Sequence, residues 1–242
     1  MILRLLIPAL LILSAFLAQP AFAETRYVMF SNGTGFFVTK DGYIITNAHV
    51  VRGCTSLVKA TGALTTDAEI ITRDDEHDLA LLKARNSAPA FARLRYDEAS
   101  IQPKEDAIVM GYPGEEGARG HIRFVKSHII AATGPSGERH WLQFENAAQK
   151  GNSGGPLLDM SGNVTGVITG KTQTFRISRM GNTTPQKVSE ADVAVNLATL
   201  KNFLNRNRIR FQTSTSNLMF FSDNRLQQDA KNFILQLKCV TS

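Results

Sequence analysis

The stretch GTGFFVTKDGYIITNAHVV, residues 33–51, contains two runs of β-branched and aromatic residues on either side of the turn residues Lys40, Asp41 and Gly42. Runs of this composition are typical of β-strands, and Gly and Asp between them are typical of a turn. The second run ends at His49, where the chain passes into a bend of small residues. The stretch therefore predicts two strands, the second of which places an imidazole at its end, beside a cleft.

The same pattern extends over residues 27–170. Short runs rich in β-branched or aromatic residues alternate with turn residues such as SNG, KDG and GEEG, and no long segment of helical period interrupts them. The predicted strands are RYVMF, TGFFVT, YIITNAHVV, TSLVKA, DAEIITR, LALLKA, DAIVMGY, HIRFVKSHIIAA, HWLQFE and NVTGVITG. Many short strands with regular turns predict an all-β sandwich or barrels.

The C-terminal part has a different pattern. Residues 171–190 are polar and predict a long surface loop, after which ATLKNFLNRNRI carries Leu200, Phe203 and Leu204 on one helical face. Beyond a polar link, residues 206–242 predict a tail with a helix and a short strand, FILQLKCV. Packing against the strands and binding a partner both remain open as roles for this tail.

The first 23 residues differ from the rest of the chain. MILR carries one positive charge, LLIPALLILSAFLA is a largely apolar run of 14 residues, and QPAFA ends in an A-x-A pattern before Glu24. This order predicts a secretory signal peptide, and the run is short for a membrane span. We therefore expect an exported protein without stable membrane insertion after cleavage, the alternative being an uncleaved N-terminal anchor.

Charge and cysteine content restrict the class of partner. The chain has 27 Lys and Arg against 21 Asp and Glu, and its basic residues are scattered apart from one denser patch (Lys201, Arg206, Arg208, Arg210), which is expected to solvate the end of a helix. A nucleic-acid binder usually concentrates basic residues on one face with aromatic residues between them, so we expect no nucleic-acid partner. No histidines stand at ligand spacing beside the two cysteines, so no metal or cofactor is expected.

The two cysteines, Cys54 and Cys239, are a possible disulfide in an exported protein. Closing so long a loop would stabilise the fold by about 5 kcal/mol in the chain-entropy model. The sequence leaves open whether the two residues are bonded.

A candidate nucleophile stands in QKGNSGGPLLD, where Ser153 lies between Asn152 and two glycines. A serine hydroxyl attacks at neutral pH only with a base, a group that orients the base, and backbone donors for the developing oxyanion. Of the five histidines, His49 is the candidate base. His121, His128 and His140 are expected to be ordinary exposed or hydrogen-bonded residues, and His77, which adjoins the candidate carboxylate, is expected to point away from it.

The candidate orienting carboxylate lies in TRDDEHDLALLK. Asp74, Asp75 and Glu76 are expected in a solvated loop, whereas Asp78 directly precedes the apolar run LALL. A carboxylate that enters a buried strand is partly desolvated and can accept an imidazole N–H. Asp78 is therefore the predicted partner of His49.

GTGFFVTKDGYIITNAHVV, DDEHDLALLK and GNSGGPLLDMSGNVTGVITG, in this order, resemble the three catalytic blocks of trypsin-like serine peptidases, and most of all those of the bacterial HtrA (Deg) branch. The resemblance implies two antiparallel, chymotrypsin-like β-barrels at about residues 24–115 and 116–205, with the active site between them. It also points to the bacterial periplasm or secretion. It gives His49 as general base, Asp78 as its orienting partner, Ser153 as nucleophile, and the N–H groups of Gly151 and Ser153 as the oxyanion hole.

The resemblance also bears on specificity and control. Ala147 stands where relatives that cleave after Lys or Arg have an acid, and Ile168, Thr169 and Gly170 correspond to the pocket wall, so we expect a small or medium apolar P1 residue. Asn152 replaces the Asp that binds a new N-terminus in digestive relatives, so that mode of activation is not expected. Only 37 residues follow Asn205, too few for the PDZ domain that HtrA proteins usually carry.

These observations predict an exported serine endopeptidase that hydrolyses peptide bonds in proteins or peptides through an acyl-enzyme. One alternative is a catalytically silent relative that binds proteins or unfolded chains. Another is a non-proteolytic hydrolase such as an esterase, which is disfavoured because GNSGG lacks the G-x-S-x-G pattern. The oligomeric state stays open.

Overall fold

The computed structural model describes residues 29–54, 57–145, 147–176, 186–216 and 222–241; the predicted signal peptide lies outside them. The strands are β1 (Met29–Phe37), β2 (Tyr43–Thr46), β3 (Leu57–Gly62), β4 (Thr66–Asp74), β5 (Leu79–Ala84), β6 (Leu94–Arg95), β7 (Asp106–Gly111), β8 (Arg123–Ala131), β9 (Trp141–Phe144), β10 (Pro156–Leu158), β11 (Val164–Arg176), β12 (Gln186–Asn196), β13 (Thr213–Ser214) and β14 (Ile234–Thr241). The helices are α1 (Gly114–Ala118), α2 (Leu197–Arg206) and α3 (Asp223–Lys231), with one 3-10 turn, His49–Val51.

The first barrel is closed by six antiparallel strands in the order β1-β14-β3-β4-β5-β2. Its interior is apolar: Phe36, Ile44, Leu81 and Leu82 each expose at most 1% of their surface. Burying side chains of this size stabilises the fold by about 1.5–3 kcal/mol each, before the cost of ordering them is counted. Apolar residues of β1, β2 and β5 thus form the core beneath the His49 turn.

The second barrel follows the order β10-β7-β8-β9-β12-β11 and closes through pairing of β10 with β11. Two short strands, β6 and β13, extend it by parallel pairing next to β11. The prediction of an all-β fold with two antiparallel barrels is therefore confirmed. Because β7 belongs to the second barrel, the chain passes between barrels before residue 106, which is earlier than the predicted division at residue 115.

The C-terminal strand β14 is part of the wall of the first barrel, where it lies between β1 and β3. It pairs with β1 from Met29↔Thr241 to Phe36↔Ile234. A disulfide joins Cys54 to Cys239 across a sequence separation of 185 residues. The tail that the sequence left without a role therefore supplies one of the six strands that close the barrel.

Two strands differ from the sequence prediction. SNG does not form a turn before TGFFVT, because β1 runs unbroken from Met29 and pairs with β14 along this segment. The predicted loop at residues 171–190 is in large part a long hairpin, since β11 continues to Arg176 and β12 begins at Gln186. Polar residues on a two-stranded ribbon give no alternation that distinguishes them from a loop, so the pattern of the sequence was misleading here.

The helices follow the periodicity of the sequence. In α2 the buried residues Leu197, Leu200, Phe203 and Leu204 form one face, and the side chain of Asn196 accepts a hydrogen bond from the N–H of Thr199 as its N-cap. None of the helices in the described ranges is both long and apolar enough to cross a membrane.

Candidate functional site

His49 begins the 3-10 turn that follows β2. The turn buries Val50 and Val51 in the first barrel, while the His49 side chain stays 39% exposed. Apolar anchors on the two following residues thus fix the backbone of a histidine whose ring faces solvent. The position at the end of β2 agrees with the sequence prediction.

The carboxylate of Asp78 binds both the imidazole and the backbone N–H of His49. The imidazole Nδ1 lies 2.8 Å from Asp78 Oδ2, and the His49 N–H donates to Oδ1 at 3.0 Å. A carboxylate accepts only, so a neutral His49 carries its proton on Nδ1 and leaves Nε2 as an acceptor. The pair therefore sets both the tautomer and the orientation of the ring.

Asp78 is held in place by neighbours from both barrels. Its backbone has a positive φ of 53°, which Asp tolerates better than most residues, and its C=O accepts a hydrogen bond from Asn47 Nδ2 at 2.8 Å. The hydroxyl of Thr169, on β11, donates to Oδ2. Burial alone would raise the pKa of Asp78, but the bonds from His49 and Thr169 outweigh it and hold that pKa below its ordinary value.

A second aspartate of the same loop is also paired, contrary to prediction. Asp74 has a side chain only 13% exposed; it binds His77 Nδ1 at 3.0 Å and accepts a hydrogen bond from Arg206 at 2.7 Å. The expectation of a solvated loop was wrong for Asp74, because α2 carries Arg206 to this loop across the tertiary structure. Burial opposes ionisation of Asp74, but the bonds from His77 and Arg206 lower its pKa overall.

Ser153 is tied to the same neighbours from the side of the second barrel. Its Oγ donates to the C=O of Thr169 at 3.3 Å, and its own C=O accepts a hydrogen bond from the Thr34 N–H at 2.8 Å. Thr169 thus contacts Ser153 through its backbone and Asp78 through its hydroxyl. One residue brings the predicted nucleophile and the predicted carboxylate into one site. Among the described residues, Ser153 Oγ has no hydrogen bond to His49.

The turn of residues 149–153 contains two backbone donors without an acceptor among the described residues. The N–H of Gly114 binds the C=O of Lys150 at 2.8 Å, and the N–H of Asn152 binds the C=O of Gln149 at 2.9 Å. Since a trans peptide points its C=O and N–H in opposite directions, the Gly151 N–H faces away from Gly114. Within the described part of the chain, the N–H groups of Gly151 and Ser153 meet no acceptor.

Glycine is required at two positions of this turn. Gly151 has a φ of +103°, and a Cβ there would lie 2.4 Å from the C=O oxygen of Tyr112. Gly154 has a φ of +82°, and its Cβ would lie 2.1 Å from Thr46 Oγ1. Both the backbone angle and the packing exclude a larger residue. Gly151 is therefore required by the close approach of the segment that follows β7, and Gly154 by the close approach of β2 of the first barrel.

A cavity of about 300 Å³ opens beside Ser153. Ile168 and Gly170 line it, together with Ala148, Lys171 and the turn residues Gln149 and Lys150. The other two residues predicted for substrate binding make different contacts: Ala147 donates its N–H to Asp192, and Thr169 holds Asp78 and Ser153. Within the described ranges, no group of three or more His, Cys, Asp or Glu side chains is arranged to hold a metal ion.

Sequence reasoning missed two residues that build this site. Thr34 accepts a hydrogen bond from the Tyr112 N–H at 3.0 Å and donates to the C=O of Gly151 at 2.7 Å. One hydroxyl thus joins the segment after β7 to the turn of residues 149–153. Asp192 binds the backbone that leads into the turn. Thr34 lies in the GTG motif, which is a signal that could have identified it. No residue near Asp192 in the sequence indicates the role of Asp192.

Residues 33–167 match the family profile of the trypsin-like peptidase domain. The "Magnetosome formation protease MamE" of Paramagnetospirillum magneticum is 38% identical over 147 residues, covering 57% of this chain and 20% of MamE. The "Probable periplasmic serine endoprotease DegP-like" of Rhizobium meliloti is 32% identical over 146 residues, covering 57% of this chain and 28% of that protein. The chain therefore spans less than a third of the length of either relative.

A solved structure, the Rv3671c protease in its inactive form, is similar in fold. It has a TM-score of 0.54 and 25% sequence identity, covering 74% of this chain and 87% of that chain. The likeness therefore extends over most of both chains.

Proposed function

Because the chain belongs to the trypsin-like peptidase domain family, with HtrA and DegP proteins among its relatives, we propose that it is an exported serine endopeptidase that cleaves proteins. The observation that carries this proposal is the convergence of His49, Asp78 and Ser153 through Thr169. These are the residue types that a serine nucleophile requires; His49 and Asp78 come from the first barrel, and Thr169 and Ser153 come from the second.

In the proposed reaction, Ser153 Oγ attacks the carbonyl carbon of the scissile peptide bond. His49 Nε2 takes the hydroxyl proton and then delivers it to the leaving amine, while Asp78 stays ionised and stabilises the imidazolium. The acyl-enzyme is hydrolysed by water in the reverse sequence of proton transfers. Before the attack, the hydroxyl has to exchange its hydrogen bond to the Thr169 C=O for one to the imidazole.

The N–H groups of Gly151 and Ser153 are the proposed donors to the oxyanion. Within the described residues neither N–H group has an acceptor, and the C=O of Lys150 is fixed by the N–H of Gly114. Both observations support this assignment. Donors held in advance at the place where charge develops stabilise the transition state without reorganising as the reaction proceeds.

The cavity beside Ser153 is the proposed site of the P1 residue. Its size and the side chains of Ala148 and Ile168 favour a small or medium apolar residue, as expected from Ala147 in the sequence. Lys150, which also lines the cavity, disfavours a basic P1 residue through like-charge repulsion.

Export to an oxidising compartment is supported by the disulfide between Cys54 and Cys239. The DegP-like relative, which is named as periplasmic, supports the periplasm as the destination.

A catalytically silent protein that binds other proteins is the second candidate. It is favoured by one observation: Ser153 Oγ bonds to the Thr169 C=O rather than to His49 in this structure. The two candidates differ in whether the hydroxyl reacts.

Labelling with a fluorophosphonate probe distinguishes them. We expect the purified wild-type protein to label and to digest casein, and Ser153→Ala to do neither, since loss of the nucleophile lowers turnover by on the order of 10⁶. Ser161→Ala, at a serine outside the site, is the matched control and should behave as wild type. A folded wild-type protein that fails to label would favour the silent protein.

A further inference from the structure

Asp192 is a fully buried carboxylate that lies behind the cavity beside Ser153. It stands on β12 with an exposed fraction of 0%. Its Oδ2 accepts two backbone hydrogen bonds, from the N–H of Ala147 at 2.6 Å and from that of Ala148 at 2.5 Å. Charge-assisted bonds of this length are stronger than neutral ones, so Asp192 fixes this piece of backbone firmly.

The other oxygen of Asp192 faces a lysine at the border of the cavity. Oδ1 makes no hydrogen bond within the described residues and lies 3.4 Å from Lys171 Nζ. Lys171, which is 39% exposed, also lies 3.6 Å from Glu190. A buried charge is costly unless it is paired, so the ammonium group of Lys171 is the counter-charge that makes an ionised Asp192 acceptable in this place.

The backbone that Asp192 holds leads directly into the turn of residues 149–153. The remaining contacts of this turn are neutral: Gly114 binds the C=O of Lys150, Thr34 binds that of Gly151, and Asn152 Oδ1 accepts the N–H of Gln149 at 2.8 Å. Asp192 therefore supplies the one ionic anchor among these described contacts, at the point where the turn begins.

We propose that Asp192 is a positioning residue that holds residues 147–153 so that the N–H groups of Gly151 and Ser153 face the substrate, with Lys171 as its counter-charge. This inference rests on the proposed function, because it assigns those two donors to the oxyanion. Loss of Asp192 releases the start of the turn, and the two donors then lose their fixed direction.

Hydrogen exchange tests the positioning without requiring activity. In a Ser153→Ala background, we expect Asp192→Ala to speed amide exchange in peptides that cover residues 147–155 by at least about tenfold, since local opening governs exchange. Asp106→Ala, which removes an exposed aspartate of β7, is the matched control and should leave that exchange unchanged. Unchanged exchange in Asp192→Ala would overturn the proposal.

Kinetics test the consequence for the reaction. Per titrated active site, we expect Asp192→Ala to lower kcat and the fluorophosphonate labelling rate by about 10- to 100-fold with little change in KM, a loss approaching that of an oxyanion donor. A residue that only stabilised the fold would lower the folded fraction but not the rate per active site. If wild type labels and folded Asp192→Ala labels equally fast, the inference fails and the proposed function stands. If wild type itself does not label, the proposed function fails, and the exchange result still decides the positioning.

Two further variants keep the test informative if Asp192→Ala does not fold. Lys171→Met leaves the carboxylate buried without its counter-charge, and we expect a loss of about tenfold or more in labelling rate. Combining Asp192→Asn with Lys171→Met removes both charges and keeps one acceptor oxygen, so we expect the double variant to label faster than Lys171→Met alone. Equal or slower labelling by the double variant would contradict the pairing.

Discussion

Two His–Asp pairs take their carboxylates from Asp74 and Asp78, at the junction of β4 and β5, and their local geometries are nearly the same. His49 Nδ1 lies 2.8 Å from Asp78, and His77 Nδ1 lies 3.0 Å from Asp74. In both pairs the N–H of the histidine also donates to the carboxylate at 3.0 Å. Both carboxyl groups have a pKa below the ordinary value for Asp.

The two pairs differ in what lies beyond the carboxylate. Asp78 reaches Thr169 and through it Ser153, whereas Asp74 reaches Arg206 on α2. A histidine paired with an aspartate is therefore not a functional signal by itself. The group that binds the carboxylate from far away in the sequence, Thr169 or Arg206, distinguishes the candidate site from the structural ion pair.

The largest difference between the two pairs is expected when each aspartate is neutralised. We expect Asp78→Asn to lower kcat by on the order of 10⁴, because an amide no longer holds the required tautomer of His49. Asp74→Asn should leave kcat within a few-fold of wild type and lower Tm, because it removes a half-buried pairing partner of His77 and Arg206. Casein or peptide turnover, with Tm from calorimetry, gives both quantities. Similar losses of kcat in the two variants would remove the distinction between the pairs.

A smaller effect is expected at the connection between Asp78 and Ser153. Thr169→Val keeps the shape of the side chain but removes the hydroxyl that binds the carboxylate. Since a hydrogen bond to a charged group contributes about 1.5–3 kcal/mol, we expect kcat/KM to fall by about 10- to 100-fold. The matched control is Thr172→Val on the same strand, whose hydroxyl donates to the C=O of Ala191 at 3.4 Å and, among the described residues, to no other group. A loss in the control as large as that in Thr169→Val would show a general effect on β11.

The smallest effect concerns stability at acid pH. A carboxyl whose pKa is lower in the folded state than the unfolded value of 3.8 stabilises the fold above that pH, and the contribution disappears as pH falls through the folded pKa. The Tm difference between wild type and Asp74→Asn should therefore be constant near pH 6 and shrink below about pH 3.8. Calorimetry from pH 6 to pH 2.5 measures it. A difference that grew toward low pH would mean that the sign of the shift is wrong.

Much of the fold followed from local patterns. Runs such as LALLKA and DAIVMG predicted strands because β-branched and apolar residues fit a buried sheet, and the face formed by Leu200, Phe203 and Leu204 predicted α2. The hairpin of β11 and β12 was missed because its polar residues lack the alternation of a half-buried strand. The unbroken course of β1 through SNG was missed because its partner, β14, lies about 200 residues further along the chain.

Local patterns of the amino-acid sequence account for the β-rich content of this protein and for the order His49, Asp78, Ser153 in recognisable contexts, because strand propensity and turn chemistry act over a few residues. Tertiary contacts account for which strand closes the first barrel, which His–Asp pair is joined to a serine, and how Asp192 reaches Ala147. Asp78 and Thr169 lie 91 positions apart in the chain, and Ala147 and Asp192 lie 45 apart. A hydrogen bond forms only within about 3.5 Å, and that proximity is a property of the packed barrels rather than of any stretch of sequence.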